Sequence, residues 1–159
     1  MIIMLHIVPH ARDLGFPSMQ AAGVLSIIGA VSMLERFVSG LIIDRMGSKA
    51  VMEGCFVLLL IGLGWLEFAP QPWMLYLFAV VYGIAHGGLF TAISPLVAEW
   101  FGIQSHGALF GTTGGSVGPL LAGHLFDLSS SYQPTFRIVT AMALIAWGML
   151  LFLRPAKNR

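Results

Sequence analysis

The chain has 159 residues, of which 57% are hydrophobic and only 9% are charged, and its mean hydropathy is +0.87. Soluble domains carry about 25% charged residues, so a soluble fold of this size could not cover its surface with so few charges. The formal net charge of +1 gives no reason to expect a nucleic-acid partner, and a single cysteine excludes an intrachain disulfide. The composition therefore predicts an integral membrane protein whose main partner is the lipid bilayer.

Taken in chain order, the apolar segments predict an all-α, polytopic transmembrane helix bundle. A spanning helix needs about 20 mostly apolar residues, and five stretches are long enough. Residues 1–8 are typical of the last turns of a further, partial span, and we expect Ser18 to cap the first full span. Residues 1–159 then form a single transmembrane domain. The predicted full spans are residues 18–43, 50–68, 72–100, 106–126 and 135–153.

The basic residues of the loops predict the orientation of the chain. The loop after the first full span and the C-terminal tail lie on the same side of the membrane, because four helices separate them. Cytoplasmic loops carry an excess of lysine and arginine. We therefore expect this side, with five basic residues against two, to be the cytoplasmic face of a cell membrane. The five are Arg45, Lys49, Arg154, Lys157 and Arg159, and the two are Arg12 and Arg137.

The turn after the first full span carries the pattern Gly-x-x-x-Asp-Arg-x-Gly-x-Lys. Gly40 would let a neighbouring helix approach, and Gly47 would allow the turn a positive φ. Asp44 could accept hydrogen bonds from the start of a neighbouring helix, where the helix dipole is positive. Arg45 and Lys49 would anchor the turn at the lipid headgroups. The alternative interpretation of this pattern is an ordinary basic cytoplasmic loop.

This pattern resembles the loop motif of the major facilitator superfamily. Other segments resemble the monocarboxylate-porter and oxalate/formate-antiporter branch of that superfamily: HIVPHARDLGF (6–16), GIAHGG (83–88) followed by PLVAEWFG (95–102), and GPLLAGHLFD (118–127). The resemblance implies the C-terminal half of a twelve-helix transporter, from the end of helix seven to helix twelve. The span at 106–126 is shorter than the family pattern.

Two adjacent charges, Glu35 and Arg36, lie deep in the first full span. Charges at such depth are costly, so they are functional candidates by default. Arg36 shares a helical face with Ser32 and Gly40, and its guanidinium could bind a carboxylate through two hydrogen bonds. The resemblance agrees, because an arginine of the eighth helix is implicated in anion recognition there. Glu35 would pair with another helix or take part in proton coupling. The alternative is a structural ion pair or a snorkelling arginine.

Histidines provide further candidates for substrate binding or coupling. His86 lies in mid-span, one turn from Tyr82, where an interhelical hydrogen bond is the alternative role. His6 would lie near the outer end of a cavity. His6 and His10 have the i, i+4 spacing of a metal site, but we expect Pro9 to interrupt that segment, so no metal site is predicted. No catalytic group and no cofactor is expected.

Several glycines recur at small-xxx-small spacing, which lets helices pack backbone to backbone. In a transporter the same faces are where helices rock against each other. The glycines assigned to this packing are Gly83, Gly87, Gly107, Gly111, Gly115 and Gly118.

The sequence supports two functional hypotheses, neither of them an enzyme. The first is a secondary transporter, or part of one, that moves a small organic anion such as a monocarboxylate by alternating access, with proton symport or anion exchange. The second is a truncated, non-transporting membrane protein or a subunit that packs with a second half-transporter chain. In such transporters the path lies between two repeats. We therefore expect that this chain alone does not transport.

Overall fold

The computed structural model describes residues 2–68, 71–101 and 133–152, and its elements in these ranges are all α-helices. The all-α helix bundle expected from the sequence is therefore confirmed for the described part of the chain. The helices are α1 (Ile2–Asp13), α2 (Ser18–Met46), α3 (Ser48–Leu66), α4 (Pro72–Phe101) and α5 (Gln133–Phe152). The predicted span at 106–126 lies outside the described residues, as do Gly107, Gly111, Gly115 and Gly118.

Three of these helices, α2, α3 and α4, are long and apolar enough to cross a membrane. The described part of α5 contains a shorter apolar stretch, Phe136–Phe152. At 1.5 Å per residue, the 29 residues of α2 extend over about 44 Å, which exceeds the roughly 30 Å of the hydrocarbon core. Helix α2 must therefore tilt or extend beyond the hydrocarbon region.

The N-terminal and C-terminal ends of α2 differ in their capping residues. The expectation that Ser18 caps this helix is wrong, because Ser18 is its first helical residue and Pro17 occupies the N-cap position without a side-chain cap. The Pro17 carbonyl accepts the first helical hydrogen bond, from the Ala21 N–H at 3.1 Å. At the other end Gly47 has φ +85°, the positive value expected for this turn, and its N–H bonds the Ile43 carbonyl at 2.8 Å.

Helix α1 continues through a proline. The expectation that Pro9 interrupts this segment is wrong, since the helix runs without a break from Ile2 to Asp13. Proline removes one backbone donor from the helix. Tertiary packing compensates for that loss, because Ile3, Ile7 and Ala11 recur on one face and are almost fully buried.

Helix α4 lies at the centre of the described bundle and packs most extensively against α2 and α3. A large apolar cluster joins all five helices, with Ile7, Ile28, Leu63 and Phe78 fully buried in it. A second cluster lies nearer the Gly47 turn. Its buried members are Val51, Met52, Cys55, Ala92, Leu96 and Leu150.

Helices α2 and α4 meet almost backbone to backbone. A Cβ atom at Gly83 would lie 2.9 Å from the Cβ of Val31, and a Cβ atom at Gly87 would lie 2.6 Å from the carbonyl oxygen of Ser32. Neither position has room for a side chain. Small residues allow this close approach where packing drives the association of membrane helices. We call this region, residues 31–39 of α2 and 82–90 of α4, the α2–α4 seam.

Candidate functional site

Arg36 lies on α2 at the edge of the α2–α4 seam, with its side chain exposed. Its guanidinium carbon Cζ lies 5.3 Å from the centroid of the Phe90 ring, which is a cation–π contact. The ion pairs found among the described residues involve Lys49 and Arg137, not Arg36. The guanidinium therefore has an aromatic ring beside it and, in the described part of the chain, no carboxylate on its N–H groups.

The carboxylate of Glu35, the residue before Arg36 in the sequence, lies in a different environment. Glu35 is half-buried and accepts a hydrogen bond of 2.7 Å from the Ser39 hydroxyl, one turn along the same helix. The stem of Glu35 packs on the α4 backbone, since its Cβ would lie 2.9 Å from a Cβ at Gly87. Among the described residues Glu35 has no basic partner on another helix.

Four aromatic rings follow each other along one face of α4, and we call them the ring column. Centroid distances are 5.4 Å from Phe78 to Tyr82, 5.7 Å from Tyr82 to His86 and 5.0 Å from His86 to Phe90. The i, i+4 spacing of these residues places them on one face. The sequence prediction included Tyr82 and His86 but missed Phe90, which the same spacing could have found.

His86 joins the ring column to α2. Its Nδ1 atom lies 3.2 Å from the Ser32 hydroxyl, in a hydrogen bond whose direction depends on the tautomer. Its Nε2 atom is buried and has no hydrogen-bond partner in the described part of the chain. The interhelical hydrogen bond considered for this histidine is therefore present.

Three helices converge at Gly88. A Cβ atom there would overlap the Cys55 sulfur of α3 and lie 3.0 Å from the Ser39 hydroxyl of α2. Cys55 is free and buried. The polar contact of Ser39 with Glu35 therefore lies directly against the tightest point of the bundle.

The predicted loop motif, residues 40–49, forms a turn in which the charged residues differ in their ion pairs. Asp44 and Arg45 are exposed and make no ion pair among the described residues, whereas Lys49 pairs with Glu53 at 3.4 Å along α3. A Cβ at Gly40 would meet nothing within 4 Å. The expected close approach of another helix at Gly40 is thus not found within the described ranges.

A hydrogen bond that the sequence did not reveal ties this turn to the end of α4. The hydroxyl of Ser48, which is fully buried, donates to the Glu99 carboxylate at 2.6 Å. A hydrogen bond to a charged acceptor is stronger than one between neutral groups. It connects the start of α3 with α4 on the side of the membrane where the predicted loop motif lies.

The two histidines of α1 lie one turn apart on the same face, because Pro9 does not break the helix. The His10 ring makes an edge-to-face contact with Phe136 of α5, with centroids 5.1 Å apart. His6 belongs to α1 and not to the α2–α4 seam. The described residues contain no group of three or more histidine, cysteine or acidic side chains that could hold a metal ion.

Long apolar helices that pack through glycines identify the described part of the chain as belonging to a multi-pass membrane protein. The sequence-family model of the Major Facilitator Superfamily matches residues 1–159 of the chain. The chain belongs to this superfamily.

The chain is also similar to individual transporters. It is 28% identical to monocarboxylate transporter 7 of Homo sapiens, over 96% of this chain and 31% of that protein. It is 28% identical to monocarboxylate transporter 13 of Rattus norvegicus, over 93% of this chain and 36% of that protein. It is 25% identical to the gentisate transporter of Corynebacterium glutamicum, over 79% of this chain and 30% of that protein. The chain spans about a third of the length of the curated relatives it matches.

Proposed function

We propose that this chain forms part of a secondary transporter that carries a small organic anion, such as a monocarboxylate, across a cell membrane. The observation that carries the proposal is Arg36, an exposed cation in a 29-residue apolar helix without an acidic partner among the described residues. An ionisable group inside a membrane marks a solute or ion pathway by default. The names of the relatives, which refer to monocarboxylates and to gentisate, support a carboxylate as the anion.

In this proposal each polar group of the seam has a role. Arg36 binds the carboxylate through two parallel N–H···O bonds. Glu35 gains and loses a proton beside it, which couples transport to proton symport, or exchange of a second anion takes the place of that step. His86 contributes its ring to the wall of the pathway, the buried Tyr82 stacks behind that ring, and His6 lies towards the outer end of the pathway. A gradient supplies the energy.

Alternating access requires helices that move against each other as rigid bodies. The seam at Gly83 and Gly87 allows such a motion, since two backbones in contact interlock few side chains. In the proposal the Gly40–Lys49 turn latches the cytoplasmic side in one of the two states, and the C-terminus is cytoplasmic. The chain then corresponds to helices eight to twelve of a twelve-helix transporter, with the end of helix seven.

The test is carboxylate uptake by the full-length product of the gene that encodes this chain. Hydrogen bonds to charged groups contribute roughly 1.5–3 kcal/mol, so we expect Arg36→Gln to lower kcat/KM by about ten- to a hundredfold. Arg137→Gln is the matched control, because Arg137 is exposed and pairs with Glu67 at 3.2 Å, outside the seam. We expect this control to keep uptake near the wild-type level. Wild-type uptake by Arg36→Gln at equal surface expression would refute the anion-binding role.

The exposed surface of α2 supports a second candidate, a chain that works only when packed with another half-transporter. Around Arg36 this surface carries Leu34, Phe37 and Leu41, with exposed fractions of 68%, 70% and 69%. Lipid or a second set of helices can cover such a surface. We expect liposomes that contain this chain alone to show no saturable uptake. Saturable, Arg36-dependent uptake would contradict this candidate and would require the chain to dimerise.

A further inference from the structure

The hydrogen bond between Ser39 and Glu35 bears on how the site binds its proton. Ser39 is 1% exposed, and its hydroxyl donates to Glu35 Oε1 at 2.7 Å. We propose that Ser39 is a positioning residue for Glu35, which holds the ionised carboxylate in place and thereby sets the pH at which the transporter binds its proton. The inference rests on the proposed function, specifically on proton symport, and adds a second residue to the proton step.

The acceptor of this hydrogen bond is not the one that a hydroxyl in a helix commonly uses. Serine and threonine in helices often donate to the backbone carbonyl four residues earlier. Ser26, Thr91 and Thr140 do so, at 3.1, 2.9 and 2.8 Å. Ser39 donates instead to the side chain of the residue at that position, which is Glu35. The hydroxyl is therefore directed at a carboxylate.

The Ser39 hydroxyl is fixed at this position by the helices around it. A Cβ atom at Gly88 would lie 3.0 Å from the Ser39 oxygen and would overlap the Cys55 sulfur, so α3 and α4 both close around the hydroxyl. A buried hydroxyl needs a hydrogen-bond partner, and the partner that the described structure gives to Ser39 is Glu35. Because Ser39 and Glu35 both belong to α2, the bond moves with that helix.

Other charged and titratable groups face Glu35 without bonding its carboxylate in the described part of the chain. Arg36 lies on the same helix, but adjacent helix positions point about 100° apart. Cys55 lies near Glu35 on α3. His86 lies on the stretch of α4 against which Glu35 packs, and its Nδ1 atom bonds another serine. Among the described residues, the hydrogen bond to the Glu35 carboxylate comes from Ser39.

The proton step explains why this hydrogen bond matters. In the transport cycle the Glu35 carboxylate takes one proton from water on one side of the membrane and returns it to water on the other. An O–H bond of the carboxyl group forms and later breaks, while Ser39 keeps its own hydrogen. A hydrogen bond to an ionised acceptor is roughly twice as strong as one to a neutral acceptor. Without the Ser39 hydroxyl, Glu35 should therefore bind its proton at a higher pH.

The test measures how uptake by the full-length product of the gene depends on external pH. Proteoliposomes at fixed internal pH are loaded with unlabelled pyruvate, so that labelled pyruvate enters by exchange and no net proton movement is required. Pyruvate is the probe because it stays ionised throughout the titration. We expect uptake to rise as external pH falls, and Ser39→Ala to move the midpoint upwards by about 0.5–1 pH unit. Ser39→Thr keeps the hydroxyl and should keep the wild-type midpoint.

Thr91→Val is the matched control. The Thr91 hydroxyl donates to a backbone carbonyl at 2.9 Å, so this variant loses a half-buried hydroxyl that does not touch a carboxylate. Its midpoint should equal that of wild type. Glu35→Gln cannot ionise and should lose the dependence on pH, and adding Ser39→Ala to it should change nothing further. Should Ser39→Ala not reach the membrane, Ser39→Cys keeps the size with a weak donor and should raise the midpoint in the same way.

The outcomes separate this inference from the proposed function. A wild-type midpoint in Ser39→Ala or Ser39→Cys would overturn it, as would an equal shift in Thr91→Val or a shift that persists in Glu35→Gln. Wild-type uptake that does not depend on pH would overturn the proton step and leave anion binding by Arg36 intact. The anion site is tested separately, because wild-type uptake by Arg36→Gln refutes the proposed function whatever the pH profile of Ser39→Ala.

Discussion

Substitution of Gly87 by alanine tests the central feature of the fold, the close approach of α2 and α4. The added methyl group would lie 2.6 Å from the Ser32 carbonyl oxygen, 2.9 Å from the Glu35 Cβ and 3.1 Å from the Ser32 Cα. Two of these three atoms belong to the α2 backbone, so no rotation of a side chain can relieve the overlap. Helix α2 must move away as a unit.

The size of the effect follows from these distances. Ordinary contacts of a Cβ atom begin near 3.4 Å, so α2 must retreat by roughly 0.8 Å at this point. The same movement stretches the 3.2 Å hydrogen bond between Ser32 and His86 beyond its useful range. Overpacking costs about 1–3 kcal/mol, and the better helix propensity of alanine returns about 1 kcal/mol. The lost hydrogen bond adds about 1 kcal/mol. We expect a net destabilisation of about 1–3 kcal/mol.

The assay is thermal unfolding of the full-length protein in detergent, followed by size-exclusion chromatography. We expect Gly87→Ala to lower the apparent Tm by about 3–10 °C. Gly29→Ala in α2 and Gly54→Ala in α3 are the controls, because a Cβ at either position would meet nothing within 4 Å. Both should leave the Tm unchanged or raise it slightly. A Tm for Gly87→Ala at or above that of wild type would refute the proposed packing of the seam.

Two further predictions concern the turn between α2 and α3. Gly47→Ala should destabilise the protein by about 1–2 kcal/mol, because Gly47 has φ +85°. Gly40→Ala is the control and should not destabilise it, because a Cβ there meets open space. Equal shifts in Tm for the two variants in the same unfolding assay would contradict this prediction. Ser48→Ala removes the 2.6 Å hydrogen bond to Glu99 and should cost about 1 kcal/mol, whereas Ser26→Ala, at an exposed position, should be neutral. A Tm for Ser48→Ala equal to that of Ser26→Ala would count against a stabilising role of this bond.

The sequence-based prediction was wrong where it applied a local sequence rule that the folded structure does not follow. Pro9 is a helix breaker by its covalent structure, but the buried face of α1 keeps the helix intact. Ser18 is a good capping residue, yet Pro17 has the dihedral angles of the N-cap position. The close approach of a helix expected at Gly40 stays a prediction, because the described residues leave open space there, and among them the close packing lies at Gly83 and Gly87.

Partners in the seam could not be paired from sequence, because the residues that meet are far apart in the chain. Ser32 and His86 are separated by 54 positions. Arg36 could be selected as a candidate from its charge alone, since a cation inside an apolar helix is rare. The contact of Arg36 with Phe90 could not be predicted from the sequence, because it depends on the relative rotation of α2 and α4 about their axes.

The sequence by itself determined that this is an all-α membrane protein, and which segments are apolar enough to span. Both are properties of consecutive residues and require no knowledge of neighbours. The tertiary structure decided which face of each helix packs. In α2, Val24 and Ile28 are buried while Leu34 and Phe37 are exposed, although all four are apolar. Lipid tails are as apolar as leucine, so hydrophobicity cannot mark the packed face of a membrane helix, and close packing at the glycines of α4 marks it instead.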